Sequence, residues 1–168
     1  MIQVLLVEDD QGVSDLVGYI LESDLGAAVC FATTGRVAVD AMEFGAFDLA
    51  IIDVTVSGLS GFDLAKRAVD RFIPSLLCSG LPNAIATLAE FHFPYLAKPF
   101  KPSDLIVQST RIITRPAQNL RRFNASYARL QGTIDGQSAY IAESRRSIEE
   151  SQAARAARRK SPLWTGLA

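Results

Sequence analysis

Short apolar runs rich in β-branched residues alternate with amphipathic helical patterns along residues 1–116. The runs lack strict alternation with polar residues, which indicates strands covered on both faces, as in a parallel sheet. Strands separated by helices favour right-handed crossovers. We therefore predict an α/β fold, a doubly wound (βα)5 arrangement with a five-stranded parallel sheet and a C-terminal helical extension. The predicted strands are Ile2–Val7, Ala28–Ala32, Leu49–Asp53, Ser75–Cys78 and Tyr95–Ala97.

Apolar stripes with helical spacing fall between these runs. One stripe predicts a helix after the first strand and consists of Val13, Leu16, Val17, Ile20 and Leu21. Another predicts a helix after the third strand and consists of Phe62, Ala65, Val69 and Phe72. We expect both stripes to be buried against the sheet.

Charge and composition divide the chain. Residues 1–116 carry 8 basic and 14 acidic residues, a net charge of −6, whereas residues 117–168 carry 9 basic and 4 acidic residues, a net charge of +5. The second part is rich in Ala, Ser, Gln and Arg and lacks long apolar runs. We therefore expect one domain over residues 1–116 and a helical, basic extension over residues 117–168, with the boundary near Arg115-Pro116.

The extension carries an apolar seam with helical spacing between Leu120 and Ser151. Its large apolar members are Leu120, Phe123, Tyr127, Leu130, Ile134, Ile141 and Ile148. The seam predicts a long amphipathic helix that packs on a partner, with a homodimer as the expected assembly. That helix could continue the preceding one through Pro116, or fold back as a hairpin near Gly132 to Gly136, whereas a solvated tail is the third alternative.

A basic cluster follows the seam and consists of Arg155, Arg158, Arg159 and Lys160. Basic clusters can bind nucleic acid but more often form a solvated face. Because no helix-turn-helix pattern follows the predicted domain, we do not expect a nucleic-acid partner, and nucleic-acid binding by the tail is kept as an alternative. The residues after Ile148 are expected to be loose.

Polar side chains end four of the predicted strands, at Glu8 and Asp9, Asp53, Ser79 and Lys98. Functional groups in doubly wound folds gather at the carboxyl ends of the strands. Clustered carboxylates repel one another unless a cation lies among them, and hard oxygen ligands suit Mg²⁺. An ionised aspartate beside such a cation can attack phosphorus, while a hydroxyl and an ammonium hold the phosphoryl oxygens.

These motifs together resemble the receiver domain of response regulators, the CheY-like module of two-component signalling, over residues 1–116. The matching features are Glu8-Asp9-Asp10 after the first strand, Asp53 with Gly61 eight residues later, Ser79-Gly80, Lys98-Pro99-Phe100, and Tyr95 three residues before Lys98. Outside the resemblance, Asp10 is expected to cap the next helix. The resemblance also implies a cis peptide bond before Pro99.

The resemblance implies a role for each site residue. Asp53 would be the phosphoacceptor, Lys98 would pair with a phosphoryl oxygen, and Ser79 and Tyr95 would form the switch. Mg²⁺ would be held by Asp9, by Asp53, by the backbone carbonyl of Thr55 and, through a water, by Glu8. No other cofactor is implied.

The implied function is a response regulator of a phosphorelay, which is not an enzyme beyond its own phosphorylation and dephosphorylation. The implied partner is a histidine kinase or histidine phosphotransfer protein. Phosphorylation would remodel the face formed by the fourth helix, fifth strand and fifth helix, which offers a second route to a homodimer. Because Thr55 and Leu81 cannot orient water as a carboxylate or amide would, slow self-hydrolysis is expected.

One departure from the family pattern is Val56-Ser57, where Met-Pro is common. A haloacid dehalogenase-like phosphatase is an unlikely alternative, because that family places a second aspartate where this chain has Thr55. A flavin-binding domain would leave the acidic strand ends unexplained. His92, the only histidine, falls at the end of the fourth helical pattern rather than on an exposed bundle face, which disfavours a phosphodonor role.

Composition narrows the expected location. Cys30 and Cys78 lie in apolar runs and are interpreted as small buried residues in a reducing compartment. No apolar run approaches the ~18 residues of a membrane span. The N-terminus lacks a basic segment before its apolar run, which disfavours a signal peptide. We expect a cytoplasmic protein without membrane contact.

Overall fold

The computed structural model describes residues 1–135, and the predictions for the distal seam and the basic cluster lie outside these residues. Strands and helices alternate from the first strand onward. Their bounds are β1 Ile2–Val7, α1 Gln11–Leu25, β2 Ala27–Ala32, α2 Gly35–Phe44, β3 Leu49–Asp53, α3 Gly61–Asp70, β4 Ser75–Ser79, α4 Pro82–Glu90, β5 Tyr95–Ala97 and α5 Pro102–Thr114. A further helix, α6, begins at residue 116 and includes residue 135.

The sheet confirms the predicted fold. All five strands are parallel and lie in the order β2-β1-β3-β4-β5. The predicted bounds of β1, β3 and β5 match the structure, whereas β2 begins at Ala27 and β4 continues to Ser79. Every residue of β3 and β4 is buried, as expected for strands covered by helices on both faces.

Local signals explain how the helices begin. The Asp10 carboxylate accepts a hydrogen bond from the Val13 amide at 2.9 Å, so Asp10 caps α1 as predicted. The Thr34 hydroxyl caps α2 in the same way. Proline occupies the first turn of α4 and of α5, where its missing N–H would have had no partner within the helix.

Three burial predictions are wrong. Cys30 is exposed because β2 is an edge strand, whereas Cys78 in β4 is buried as expected. Leu16 is exposed on α1, whereas Val17, Ile20 and Leu21 of the same stripe are buried. Phe72 is exposed because α3 ends at Asp70 and Phe72 adopts a left-handed backbone conformation with a φ of 62°, so it does not extend the buried helical face.

A break in the helix separates α5 from α6. Helix α5 ends at Thr114 and Arg115 is not helical. A continuous helix through Pro116 is therefore wrong, since proline lacks the N–H for the helical hydrogen bond and its ring clashes with the preceding turn. Gly132 is helical and the helix includes residue 135, so no turn interrupts residues 132–135 as the hairpin alternative would require.

The first turns of α6 belong to the compact unit, which covers Met1–Arg129. Phe123 is fully buried and packs edge-on against Phe93, with ring centroids 5.1 Å apart. Phe93 in turn packs against Phe62 of α3 at 5.2 Å. At Phe123 the seam therefore faces this chain's own core rather than a second molecule.

Polar contacts also tie α6 to the sheet. The Asn119 side chain accepts a hydrogen bond from the Ser75 amide at 2.9 Å and donates one to the Ser75 carbonyl at 3.1 Å. Arg122 donates to the carbonyl of His92. The second unit begins at Leu130, and residues 130–135 of it are helical. Over the part of the chain that the structure describes, no helix is long and apolar enough to cross a membrane.

Candidate functional site

The carboxyl ends of the inner strands and of β5 meet at one edge of the sheet. Glu8 follows β1, Asp53 ends β3, Ser79 ends β4 and Lys98 follows β5. Backbone hydrogen bonds hold these ends in register. The Val54 amide donates to the Cys78 carbonyl at 2.9 Å, and the Lys98 amide donates to the Ser79 carbonyl at 2.8 Å. Parallel pairing thus brings together side chains that lie far apart in the sequence.

An ion cluster forms at this edge between Lys98 and two carboxylates. The Lys98 Nζ atom donates a hydrogen bond to Asp53 Oδ2 at 2.5 Å and another to Glu8 Oε2. Glu8 and Asp53 are only 5% and 6% exposed. Because buried carboxylates are costly without a compensating cation, Lys98 stabilises both of them.

The pKa shifts keep this cluster charged. Burial would raise the pKa of the Asp53 carboxyl, but hydrogen bonds from Lys98 and Thr55 outweigh burial and hold that pKa below its usual value of 3.8. Burial would lower the pKa of the Lys98 ammonium, but the hydrogen bonds to Asp53 and Glu8 raise it above its usual value of 10.5. Asp53 is therefore an ionised, partly desolvated carboxylate at neutral pH.

The loop after β3 fixes the orientation of Asp53. The Thr55 amide and the Thr55 hydroxyl both donate to Asp53 Oδ1, each at 2.7 Å. Gly61 packs against the backbone of the same segment, where a Cβ atom would lie 2.5 Å from the Asp53 carbonyl oxygen. Only glycine fits this contact, which gives a physical reason for a glycine eight residues after the aspartate.

Asp9 takes a different direction from its neighbour Glu8. Its Oδ2 atom accepts a hydrogen bond from the Ser57 hydroxyl at 2.8 Å, and Ser57 lies in the loop between β3 and α3. Within residues 1–135, no three His, Cys, Asp or Glu side chains converge closely enough to hold a metal ion. The structure thus brings together Glu8, Asp53 and Lys98, while Asp9 points to the neighbouring loop.

The two predicted switch residues lie on the neighbouring strands β4 and β5, Ser79 at the carboxyl end of β4 and Tyr95 at the start of β5. Ser79 is fully buried, and its hydroxyl oxygen accepts a hydrogen bond from the Leu81 amide at 3.1 Å. Tyr95 is half-buried on β5, three residues before Lys98. The peptide bond between Lys98 and Pro99 is cis, as predicted. His92 precedes β5 and so lies toward the opposite edge of the sheet.

Two contacts were missed from the sequence. The sequence expectations for Thr55 do not include its hydroxyl, which donates to Asp53 Oδ1 directly. In the sequence, Ser57 stands out as a departure from the family pattern, and its hydroxyl donates to Asp9 Oδ2. A hydroxyl two residues after a strand-end aspartate is a local signal for the first contact. The second joins residues 48 positions apart and has no local signal.

The donor chemistry of this edge fits Mg²⁺. Glu8, Asp9 and Asp53 supply carboxylate oxygens, which are the hard ligands that Mg²⁺ prefers, and backbone carbonyls are also available in the loop after Asp53. In this conformation Lys98 neutralises part of the charge of Glu8 and Asp53. Metal binding at this edge would require these carboxylates to converge more closely than they do among the described residues.

Fold and site together define a class of protein, doubly wound α/β domains with a carboxylate–lysine site at the carboxyl edge of the sheet. The sequence profile of the family described as response regulator receiver domain matches residues 4–109. This chain therefore belongs to the response regulator receiver domain family. Receiver domains are signalling modules of two-component systems rather than enzymes in the general sense.

Curated relatives show the same likeness. The transcriptional regulatory protein CreB of Escherichia coli strain K12 is 29% identical over 117 residues, which cover 67% of this chain and 51% of that protein. The uncharacterized transcriptional regulatory protein YcbL of Bacillus subtilis strain 168 is 28% identical over 118 residues, covering 68% of this chain and 52% of that protein. This chain thus spans about half the length of these relatives.

Solved structures support the fold over nearly their whole length. A putative response regulator from Chloroflexus aurantiacus is 29% identical, with a TM-score of 0.60 over 67% of this chain and 98% of that one. The response regulator TrrA from Thermotoga maritima, solved in complex with Mg²⁺–BeF, is 22% identical, with a TM-score of 0.60 over 67% of this chain and 99% of that one. At that identity, TrrA supports the fold alone.

Proposed function

We propose that this chain is a phosphorelay response regulator in which Asp53 accepts a phosphoryl group from a phosphohistidine. The donor would be a histidine kinase or a histidine phosphotransfer protein, and the location would be the cytoplasm. The observation that carries this proposal is the hydrogen bond from Lys98 Nζ to Asp53 Oδ2 at 2.5 Å, within an acidic sheet edge. Membership in the receiver family supports it.

The site residues suit this transfer. Because its pKa is depressed, the Asp53 carboxylate is ionised and available as a nucleophile. A new P–O bond forms to Asp53 as the P–N bond of the phosphohistidine breaks, and the imidazole leaves with the electron pair of that bond. Lys98 would move from the carboxylate to a phosphoryl oxygen and offset the added negative charge.

Mg²⁺ would be held by Asp9, Asp53, the Thr55 carbonyl and, through a water, Glu8. When bound, it would lower the repulsion between the attacking carboxylate and the phosphoryl oxygens. The residues two positions after Asp53 and Ser79 are Thr55 and Leu81, and neither is a carboxylate or an amide. We therefore propose slow self-hydrolysis of the phosphorylated form.

Ser79 and Tyr95 would transmit the change. The Ser79 hydroxyl oxygen accepts from the Leu81 amide, and the hydroxyl would donate its own proton to a phosphoryl oxygen, which is a charged and therefore strong acceptor. Tyr95 would turn inward into the space that opens. The affected surface is formed by α4, β5 and α5, so the phosphoryl group would shift a population between two conformations of that face.

The output would be protein–protein contact, without a DNA-binding effector domain. We propose residues 1–116 as the phosphorylated domain and residues 117–168 as its extension. A homodimer would form through the α4-β5-α5 face or the part of the extension beyond the packed turns of α6. The relatives are named as transcriptional regulatory proteins. Those names favour a second candidate function, in which the basic tail binds nucleic acid. Salt-dependent binding to DNA or RNA would support that candidate.

Phosphorylation with a small phosphodonor and Mg²⁺ tests the proposal. Intact-mass analysis should show one added phosphoryl group in the wild type and none in Asp53→Asn. Asp10→Asn is the matched control, because Asp10 lies at the same edge but its carboxylate caps α1, and it should label like the wild type. Circular dichroism verifies that each variant is folded. Undiminished labelling of a folded Asp53→Asn variant would refute the proposal.

A further inference from the structure

Ser57 joins the Asp9 carboxylate to the loop between β3 and α3. Its hydroxyl donates to Asp9 Oδ2 at 2.8 Å, and its backbone carbonyl accepts a hydrogen bond from the Gly35 amide at 2.9 Å. The second contact fixes the loop against the start of α2, which follows the edge strand β2. Asp9 is therefore held by a hydroxyl whose own backbone is anchored.

The other charged groups of the site draw in a different direction. Lys98 reaches Glu8 and Asp53 from β5, at the far edge of the sheet from β2. Glu8 and Asp9 are adjacent in sequence, yet one carboxylate faces Lys98 and the other faces Ser57. The Asp9 carboxylate is thus bonded to Ser57, and among the described residues it does not converge with Glu8 and Asp53 into a three-carboxylate metal site.

We propose that Ser57 is a positioning residue that holds Asp9 in a metal-free orientation and so weakens Mg²⁺ binding. This inference rests on the proposed function, because it takes the Asp9–Asp53 edge as the Mg²⁺ site. Binding requires Asp9 to exchange the Ser57 hydroxyl for the metal. The Ser57 hydroxyl stabilises only the metal-free protein. Removing it therefore tightens Mg²⁺ binding by the free energy that its hydrogen bond to Asp9 contributes.

The size of the effect follows from the usual net strength of a single hydrogen bond in a protein. A net contribution near the middle of the usual range for a single hydrogen bond corresponds to about a fivefold change in the dissociation constant. The family pattern frequently has proline at this position, which cannot donate such a bond. The serine of this chain therefore gives the site a higher Mg²⁺ requirement than the loop alone would impose.

Calorimetric titration of the full chain with Mg²⁺ tests the inference. Ser57→Ala should lower the dissociation constant about fivefold, while Ser57→Thr, which keeps the hydroxyl, should resemble the wild type. Ser60→Ala is the matched control, because Ser60 is an exposed serine of the same loop whose side chain makes no capping hydrogen bond. Amide chemical shifts of Ser57 should respond to Mg²⁺ in the wild type.

A double-mutant cycle assigns the effect to the proposed pair. In an Asp9→Asn background, Ser57→Ala should no longer tighten binding. Unchanged or weaker binding by Ser57→Ala in the Asp9 background would overturn the role of Ser57, because the hydroxyl would then be neutral or would support the ligand. The proposed function would survive that result. Absence of Mg²⁺ binding in the wild type and in every variant would instead count against the proposed function itself.

Discussion

Truncating Phe123 tests whether the first turns of α6 are part of the folded domain. Phe123 is fully buried beyond the end of the family match at residue 109. Its ring packs edge-on against Phe93 and stacks on Tyr127, with centroid distances of 5.1 and 6.3 Å. Phe123→Ala removes the ring from an interior site and leaves a cavity between α6 and the turn after α4.

The expected cost comes from burial and from the ring contacts. A buried phenylalanine replaced by alanine loses about 3–5 kcal/mol of unfolding free energy, including the cavity that remains. Aromatic edge contacts such as that with Phe93 account for about 1 kcal/mol of such a loss. Because small domains are stable by only about 5–15 kcal/mol, the substitution should remove a large fraction of the stability.

Urea denaturation followed by circular dichroism measures the change. With an m value of about 2 kcal/mol/M, a loss of about 4 kcal/mol moves the midpoint by about 2 M. Phe44→Ala is the control, because Phe44 is 91% exposed at the end of α2, and surface changes usually stay within about 0.5 kcal/mol. Equal midpoints for the two variants would refute the packing of α6.

The remaining predictions concern Lys98, Cys78 and Ser109. Lys98→Met leaves the buried Asp53 and its neighbouring carboxylate without a cation, and should cost about 3 kcal/mol at neutral pH. In the wild type, the stability that Asp53 contributes is complete above its usual pKa of 3.8 and is lost as the pH falls below that value. The variant should instead become more stable on acidification, because protonation removes its buried charges. Urea denaturation at neutral pH and about pH 4.5 gives the sign. Thiol labelling of the folded protein should modify Cys30 alone, because burial raises the pKa of the Cys78 thiol to about 12; mass analysis counts the labels. Ser109→Ala should raise stability by about 1 kcal/mol in thermal denaturation, because the buried Ser109 hydroxyl has no hydrogen-bond partner among the described residues.

Each of these three experiments has an outcome that would contradict its prediction. A Lys98→Met variant that gains no stability between neutral pH and about pH 4.5 would contradict the role assigned to the lysine. Cys30→Ser should take no label until denaturant is added, and labelling of the folded variant would contradict the burial of Cys78. Ser103→Ala places the same substitution at an exposed position of α5, and an equal gain there would assign the effect of Ser109→Ala to helix propensity.

The strand ends were predictable because their signals are local. An apolar run, a carboxylate at its end and a glycine eight residues later lie within one short segment around Asp53. Parallel topology then requires the ends of β1, β3, β4 and β5 to meet, so the grouping of Glu8, Asp53 and Lys98 followed from the predicted fold. The cap at Asp10 was equally local.

Other features depend on tertiary contacts. The exposure of Cys30 follows from the place of β2 at the edge of the sheet, which its apolar sequence does not reveal. The spacing of Phe123 and Tyr127 correctly predicted a helix with one apolar side, but periodicity does not indicate which surface covers that side. The contact between Ser57 and Asp9 joins two loops and has no counterpart in either local sequence.

The Asn119 amide has a consequence for how this protein can be divided. Its oxygen and nitrogen pair with both backbone groups of Ser75, as a neighbouring strand would. A fragment cut at residue 116 would leave that amide and carbonyl at the start of β4 unmatched, next to an opened aromatic cluster. The family match thus ends at residue 109, whereas the compact unit continues to Arg129. A fragment designed from the family match alone would lack the side chain that pairs with the start of β4.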